Sequence, residues 1–295
     1  MKKLTSLLLT GALALGLLAG CSTSTGGDTG TPQSSSPAQS TESAQPSDSS
    51  SLEGTTITVA ASPTPHAEIL KVAKEVLAQQ GITLEIKEFT DYIQPNLATE
   101  EGEVDANYFQ HITYLNNFNE ENGTHLVSAA EIHYEPFGIY AGTTASLADL
   151  PDGAKIGVPN DPTNEGRALL LLQQEGLITL NEGVGLTATK LDIAENPKNL
   201  QIEELEAAQL PRSLDSLDLA VINGNYAIQA GLNVADALAI ESAEGTAGTA
   251  YVNVLAVAED RVDDPAIQAL ANALKSDEVK TFIDETYGGA VVAVF

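Results

Sequence analysis

The chain has 295 residues, 41 of them acidic and 13 basic, and a formal charge of −28. That length allows two lobes with separate cores, and that charge excludes nucleic acid as a partner, because phosphates would be repelled. One cysteine, Cys21, excludes an intrachain disulfide and any cysteine cluster for a metal. An acidic surface also disfavours an anionic ligand at long range, although salt screens this beyond about 8 Å; a zwitterion avoids the penalty.

Met1-Lys2-Lys3 is a basic start, Leu4 to Leu18 an apolar run, and Leu18-Ala-Gly-Cys21 a small-residue ending. This predicts a bacterial secretory signal over residues 1–20, too short for a spanning helix. The ending resembles a lipobox, which implies that Cys21 becomes the diacylated, membrane-anchoring N-terminal residue; the alternative is a plain secretory signal with an incidental cysteine. Ser, Thr, Gly and Pro dominate the following stretch, so residues 21–52 read as the lipidated cysteine and a disordered tether. The expected location is the outer face of a cell membrane, most simply in a Gram-positive organism.

A strand is predicted at Thr56–Ala61, a helix from Ala67 to Gln80 closed by Gly81, and a strand at Ile82–Lys87, a βαβ opening that implies a parallel sheet. A helix over Tyr92–Thr99, a segment Val104–Asn107 leading into a helix over Gln110–Glu120, and strands at Leu126–Ala130 and Phe137–Ala141 follow. A second α/β unit opens at Ala154–Val158. Asp161 suits an N-cap and Pro162 the first helical position. Then come Leu191–Ile193, an acidic helix around Glu203–Ala208, and strands at Leu217–Ile222 and Tyr251–Val257. Helices over Asp264–Lys275 and Asp277–Thr286 should cover the first lobe. The expected fold class is α/β, with lobe 1 formed by residues 53–141 plus about 247–295 and lobe 2 by residues 142–246. Ligands of open α/β sheets sit beyond the carboxyl ends of strands, where Asn107, Val158 and Asn223 all fall.

The helix from Pro162 presents its free N–H groups and positive dipole end to an anion. Asn164 and Arg167, three apart, share one of its faces, and Gly166 leaves room for a ligand's close approach; a capped surface helix with an idle arginine is the competing reading. Nine of the fourteen aromatics fall between Phe89 and Tyr140. Tyr92, Phe109 and Tyr114, beside His111, would wall an apolar slot, or form ordinary core. Asn223, after an apolar strand, offers an amide oxygen to an ammonium group, or starts a common Asn-Gly turn. No Gly-x-Ser-x-Gly elbow, His-Glu-x-x-His helix, Walker loop or Gly-x-Gly-x-x-Gly turn occurs. The four histidines have no ligand spacing. No catalytic residue, metal or cofactor is expected.

Pro65-His-Ala-Glu68, Asp105-Ala-Asn-Tyr-Phe-Gln-His111 with Tyr114, Pro159-Asn-Asp-Pro-Thr-Asn-Glu-Gly-Arg167, Glu195-Asn-Pro-Lys-Asn199, Gln209-Leu-Pro-Arg-Ser213 and Ala220-Val-Ile-Asn-Gly-Asn-Tyr226 occur in order. From about Ile57 to Phe295 the chain resembles the methionine-binding lipoproteins that feed methionine ABC importers, the NlpA lipoprotein family. The resemblance implies a two-lobed periplasmic-binding-protein-like fold with a ligand cleft between lobes. It also implies a carboxylate held by Arg167 and Asn164, an ammonium held by Asn223, and a side-chain pocket walled by Tyr92, Phe109, His111 and Tyr114. Its expected partners are methionine, L or D, and a permease with its ATPase. The alternatives are a receptor for another small amino acid or a methionine-containing dipeptide and, outside the class, a secreted hydrolase or an adhesin. Thr113, where the family often has proline, and the Ala293-Val-Phe295 tail depart from its pattern.

Overall fold

The parallel βαβ opening forms as predicted. Strand β1 (Thr56–Ala61) runs into helix α1 (His66–Ala78) and returns as β2 (Thr83–Glu88), paired parallel to β1. Ala67, Leu70, Ala73 and Leu77 line the buried stripe of α1 at helical spacing. The computed structural model describes residues 52–242 and 247–295, all within one compact unit. The predicted secretory signal, Cys21 and nearly all of the tether lie outside the described residues, among which no helix is long and apolar enough to cross a membrane.

Helix α2 (Gln94–Glu100), strand β3 (Ala106–His111), helix α3 (Ile112–Asn122) and strand β4 (Leu126–Tyr134) follow. The chain then enters a second sheet at β5 (Gly138–Ala141) and continues through β6 (Lys155–Pro159), α4 (Pro162–Gln174), the small hairpin partners β7 (Thr179–Leu180) and β8 (Ile193–Glu195), β9 (Gln201–Leu205), β10 (Leu219–Ile222), α5 (Gly224–Gln229) and β11 (Ala239–Ile240). It returns through α6 (Ala247–Ala250) to β12 (Val252–Ala258), α7 (Pro265–Leu274), α8 (Asp277–Tyr287) and β13 (Val292–Ala293). The first sheet has the order β13-β4-β12-β3-β1-β2 and the second β11-β5-β10-β6-β9. Each sheet has its own apolar core. Ile69, Leu70, Ile267, Leu270 and Ile283 belong to the first, and Ile139, Ile156, Leu169, Leu172 and Val221 to the second; each such side chain contributes roughly 1.5–3 kcal/mol on burial. Helices α7 and α8 pack on α1, as expected of the tail, and Phe295 joins this first core.

Three expectations change. Residues 138–141, assigned by sequence to the first lobe, pair with β10 and β11 and so belong to the second sheet; the chain crosses between sheets at residues 135–137 instead. The acidic helix around Glu203 is strand β9, paired parallel to β6 over Lys155–Pro159, followed by a 3-10 segment over Ala207–Ser216. Pairing with a buried neighbour outweighs the helix propensity of its glutamates. Finally, Gln110 and His111 extend a strand rather than open a helix, and His111 becomes the N-cap of α3, its ring accepting from the backbone N–H of Tyr114.

Strand register assembles the first lobe's share of the cleft. Asn253 of β12 lies opposite His111 of β3 and His133 of β4, which places three polar side chains in a row across the sheet.

Candidate functional site

One cavity is lined by all seven predicted ligand contacts: Tyr92, Phe109, His111, Tyr114, Asn164, Arg167 and Asn223. Of the strand-end residues, Asn107 instead lies behind the wall, its amide bonded to Asn96 and Thr99.

Asp161 caps α4 as predicted, accepting from the Asn164 backbone N–H at 3.0 Å. The helix start is buried rather than solvated, with Asn164 and Arg167 at 1% and 4% exposure, which removes the reading of an idle arginine. Arg167 is committed on one edge: Nε donates to Glu241 at 2.9 and 3.0 Å, and Nη2 donates to Glu241 and to the Glu135 carbonyl. Its guanidinium carbon lies over the rings of Tyr251, at 4.2 Å from the centroid, and Phe137, at 4.8 Å. Burial works against the guanidinium charge, but the Glu241 carboxylate outweighs it and holds the pKa above its ordinary value. Nη1 takes no part in these bonds. Asn164 is committed too. Its Nδ2 donates to Asp161, and its Oδ1 accepts from Asn223 at 2.7 Å and lies 3.3 Å from His111 Nε2. It therefore braces Asn223 and His111.

This bracing sets the polarity of the opposite wall. With Asn223 Nδ2 spent on Asn164, its buried Oδ1 has no partner, and neither has Asn225 Nδ2. These, unpartnered among the described residues, are an acceptor and a donor, both fully buried in the cleft wall. His111 is neutral: burial, with Arg167 beside it, pushes its pKa down to about 3. Its Nδ1 accepts from Tyr114 and its Nε2–H faces Asn164, so it shapes the slot and offers no free base. Tyr92 sits 5.8 Å from Phe109 and 5.7 Å from Tyr114, centroid to centroid, at distances where tilted and edge-on rings attract. Its hydroxyl donates to Asn225 from across the cleft. Thr113 stands where the family often has proline; its hydroxyl donates to the Ala250 carbonyl and ties the start of α3 to α6.

The sequence pattern of the NlpA lipoprotein family matches residues 57–295. The chain belongs to this family. The methionine-binding lipoprotein MetQ of Bacillus subtilis is 45% identical over 243 residues, which cover 81% of this chain and 88% of that protein. A crystal structure of a lipoprotein from Ruminococcus gnavus matches with a TM-score of 0.80 at 58% identity, covering 81% of this chain and 99% of that one. The structure of a nutrient-binding protein from Burkholderia cenocepacia bound to methionine matches with a TM-score of 0.78 at 46% identity, over 81% of this chain and 100% of that one. The two-lobed binding-protein fold and membership of a substrate-binding lipoprotein family follow.

Family resemblance and local sequence both missed Gln110, Glu135, Gly224, Asn225 and Asn253, which line the same cavity, as well as Glu241 behind Arg167. They also misplaced a glycine. A Cβ on Gly166 would meet the Leu186 carbonyl oxygen at 2.3 Å, so that glycine serves the packing of α4 against its own lobe. A Cβ on Gly224 would meet Glu135 Oε2 at 2.7 Å, inside the cleft. Gly224→Ala is therefore expected to displace Glu135, whose Cβ it would also meet at 2.8 Å, and to weaken ligand affinity about tenfold or more, equivalent to about 1.4 kcal/mol. Calorimetry beside a thermal melt checks this, and unchanged affinity would remove Gly224 from the cleft's working wall.

Proposed function

We propose that this protein is a lipid-anchored, extracytoplasmic substrate-binding protein that closes on methionine and delivers it to a membrane permease powered by a cytoplasmic ATPase. The observation that carries the reading is the pairing inside one cavity of Arg167 Nη1 and Asn225 Nδ2, as donors, with Asn223 Oδ1, as acceptor, beside an aromatic slot. A carboxylate and an ammonium on one carbon, with an apolar side chain, complement that arrangement. The names of its relatives support the same ligand. Arg167 Nη1 takes the carboxylate; Asn223 Oδ1 takes the ammonium; Asn164 orients both the amide of Asn223 and the ring of His111. The protein performs no chemistry on its ligand.

Titration calorimetry with L- and D-methionine, together with mass spectrometry of any ligand released by unfolding, tests this. Saturable methionine binding supports it, and a different released molecule with no methionine binding would overturn it. Titration with a methionyl dipeptide beside the free amino acid separates that alternative, since tighter binding of the dipeptide would replace methionine as the ligand.

The anchor has its own test. Cys21→Ala is expected to release the protein from the membrane into the medium, as read by fractionation; retention on the membrane would remove the lipid-anchor reading.

A further inference from the structure

Glu135 sits where the chain crosses between the sheets and is 5% exposed. One side of its carboxylate faces inward: Oε1 accepts from His133 Nε2 at 2.8 Å and lies 3.5 Å from His66 Nε2. The Tyr108 hydroxyl meets His133 Nδ1; with that hydroxyl donating to Nδ1, the His133 proton is on Nε2 and directed at Glu135. Asn253 Oδ1 takes His66 Nε2–H at 2.9 Å. The other side of the carboxylate, Oε2, lies against Gly224 at the cleft wall.

The charges in this region do not balance. Arg167 is matched by Glu241, to which Tyr134 and the Phe137 N–H also donate. Asp161 is spent on the start of α4. The groups that face Glu135 are His66 from α1, Tyr108 from β3, His133 from β4, Tyr92 from before α2, Arg167 from α4 and Tyr287 from α8. Burial keeps both histidines neutral, His66 down to about 4 despite Glu135 and His133 down to about 3, and burial pushes the three tyrosines up. An ionised Glu135 would thus be a buried anion without a cation of its own, which is costly.

We propose that the cluster of Glu135, His66 and His133 holds one proton in the ligand-free protein and that binding of the ligand's ammonium expels it. The proton occupies Oε2; its O–H bond breaks, the proton passes to solvent, and an ammonium N–H donates to the ionised Oε2 in its place. The ligand remains a zwitterion, and the ammonium becomes the cation that the buried carboxylate lacks. The inference rests on the proposed binding of an amino acid in this cleft. Burial raises the Glu135 pKa above its ordinary value, with His66, Arg167 and the Asn225 backbone N–H opposing it. Binding requires the ionised form, so affinity is full above that raised pKa and falls as pH drops through it, by about tenfold per unit.

Methionine calorimetry between about pH 5 and pH 8, run in two buffers of different ionisation enthalpy, tests it. The native protein should release up to about one proton per ligand on the acid side, with release fading toward the alkaline side. Glu135→Gln should bind with no release and a flat pH profile, and His133→Asn, which keeps the carboxylate but removes its donor, should move the affinity drop to higher pH. Identical heats in both buffers, proton uptake, or release persisting in Glu135→Gln would each overturn the proposal while methionine still binds. Absence of methionine binding at every pH would instead overturn the function from which it starts.

Discussion

Arg167→Ala is expected to weaken methionine binding at least tenfold and to destabilise the fold by about 3–5 kcal/mol, and the two losses have different origins. The affinity loss comes from Nη1, since a hydrogen bond from a charged donor to a carboxylate is worth about 1.5–3 kcal/mol. The stability loss comes from the opposite edge. Glu241, 8% exposed, keeps its bonds from Tyr134 and the Phe137 N–H but loses its cation, and a buried charge without its partner is among the most costly defects a core can carry. The double variant Arg167→Met/Glu241→Gln separates the two. Its glutamine oxygen still accepts from Tyr134 and Phe137, and no unpaired charge remains, so denaturant melts should show much of the stability restored. Calorimetry should show affinity still depressed. If affinity returned together with stability, Arg167 would be a structural residue and the carboxylate would have to bind elsewhere.

What could be read from the sequence was what depends on neighbours in the chain. Asp161, Pro162, Asn164 and Arg167 lie within seven residues of one another, and capping and helical periodicity placed all four at one helix start, whose burial only the fold reveals. Asn223 at the end of an apolar strand was legible for the same reason. The residues that complete the site reach it across the fold: Glu241 meets Arg167 over 74 positions, and Asn253 meets His66 over 187. Nothing in the local pattern of an acidic, glutamate-rich chain distinguishes Glu135 or Glu241 from the solvated carboxylates around them. Strand β9 was misread because its partner, β6, lies some forty residues earlier, and only that pairing makes a glutamate-rich segment extended. The direction of the Asn164 amide was illegible as well. Spacing placed it on the face of Arg167, whereas its bonds to Asp161 and Asn223 turn it into a brace.

The second large effect concerns which amino acid is chosen. Every α-amino acid brings the same carboxylate and ammonium to Arg167, Asn223 and Asn225, so those groups supply affinity without discrimination. In the proposed complex the choice falls to Tyr92, Phe109 and Tyr114, whose rings form one connected wall. A thioether is flexible enough to follow that wall, and sulfur against an aromatic ring gains about 0.3–1.5 kcal/mol beyond apolar burial. Methionine should therefore outbind norleucine, which matches its shape without sulfur, and should outbind leucine and glutamine by more. Phe109 is 2% exposed and packs with Tyr114 and Phe118, so Phe109→Ala is expected to cost about 3–5 kcal/mol of stability. Each lobe's main core excludes Phe109, so the chain should still fold. The expected signature is a reduced margin of methionine over leucine and norleucine, with the affinity common to all four amino acids reduced less. Competition titrations of methionine, norleucine, leucine and glutamine against the native and Phe109→Ala proteins measure that margin directly. Equal affinities in the native protein would mean that the aromatic slot serves a different side chain, whereas an unchanged margin in the variant would move the selecting contact from Phe109 to Tyr92 and Tyr114.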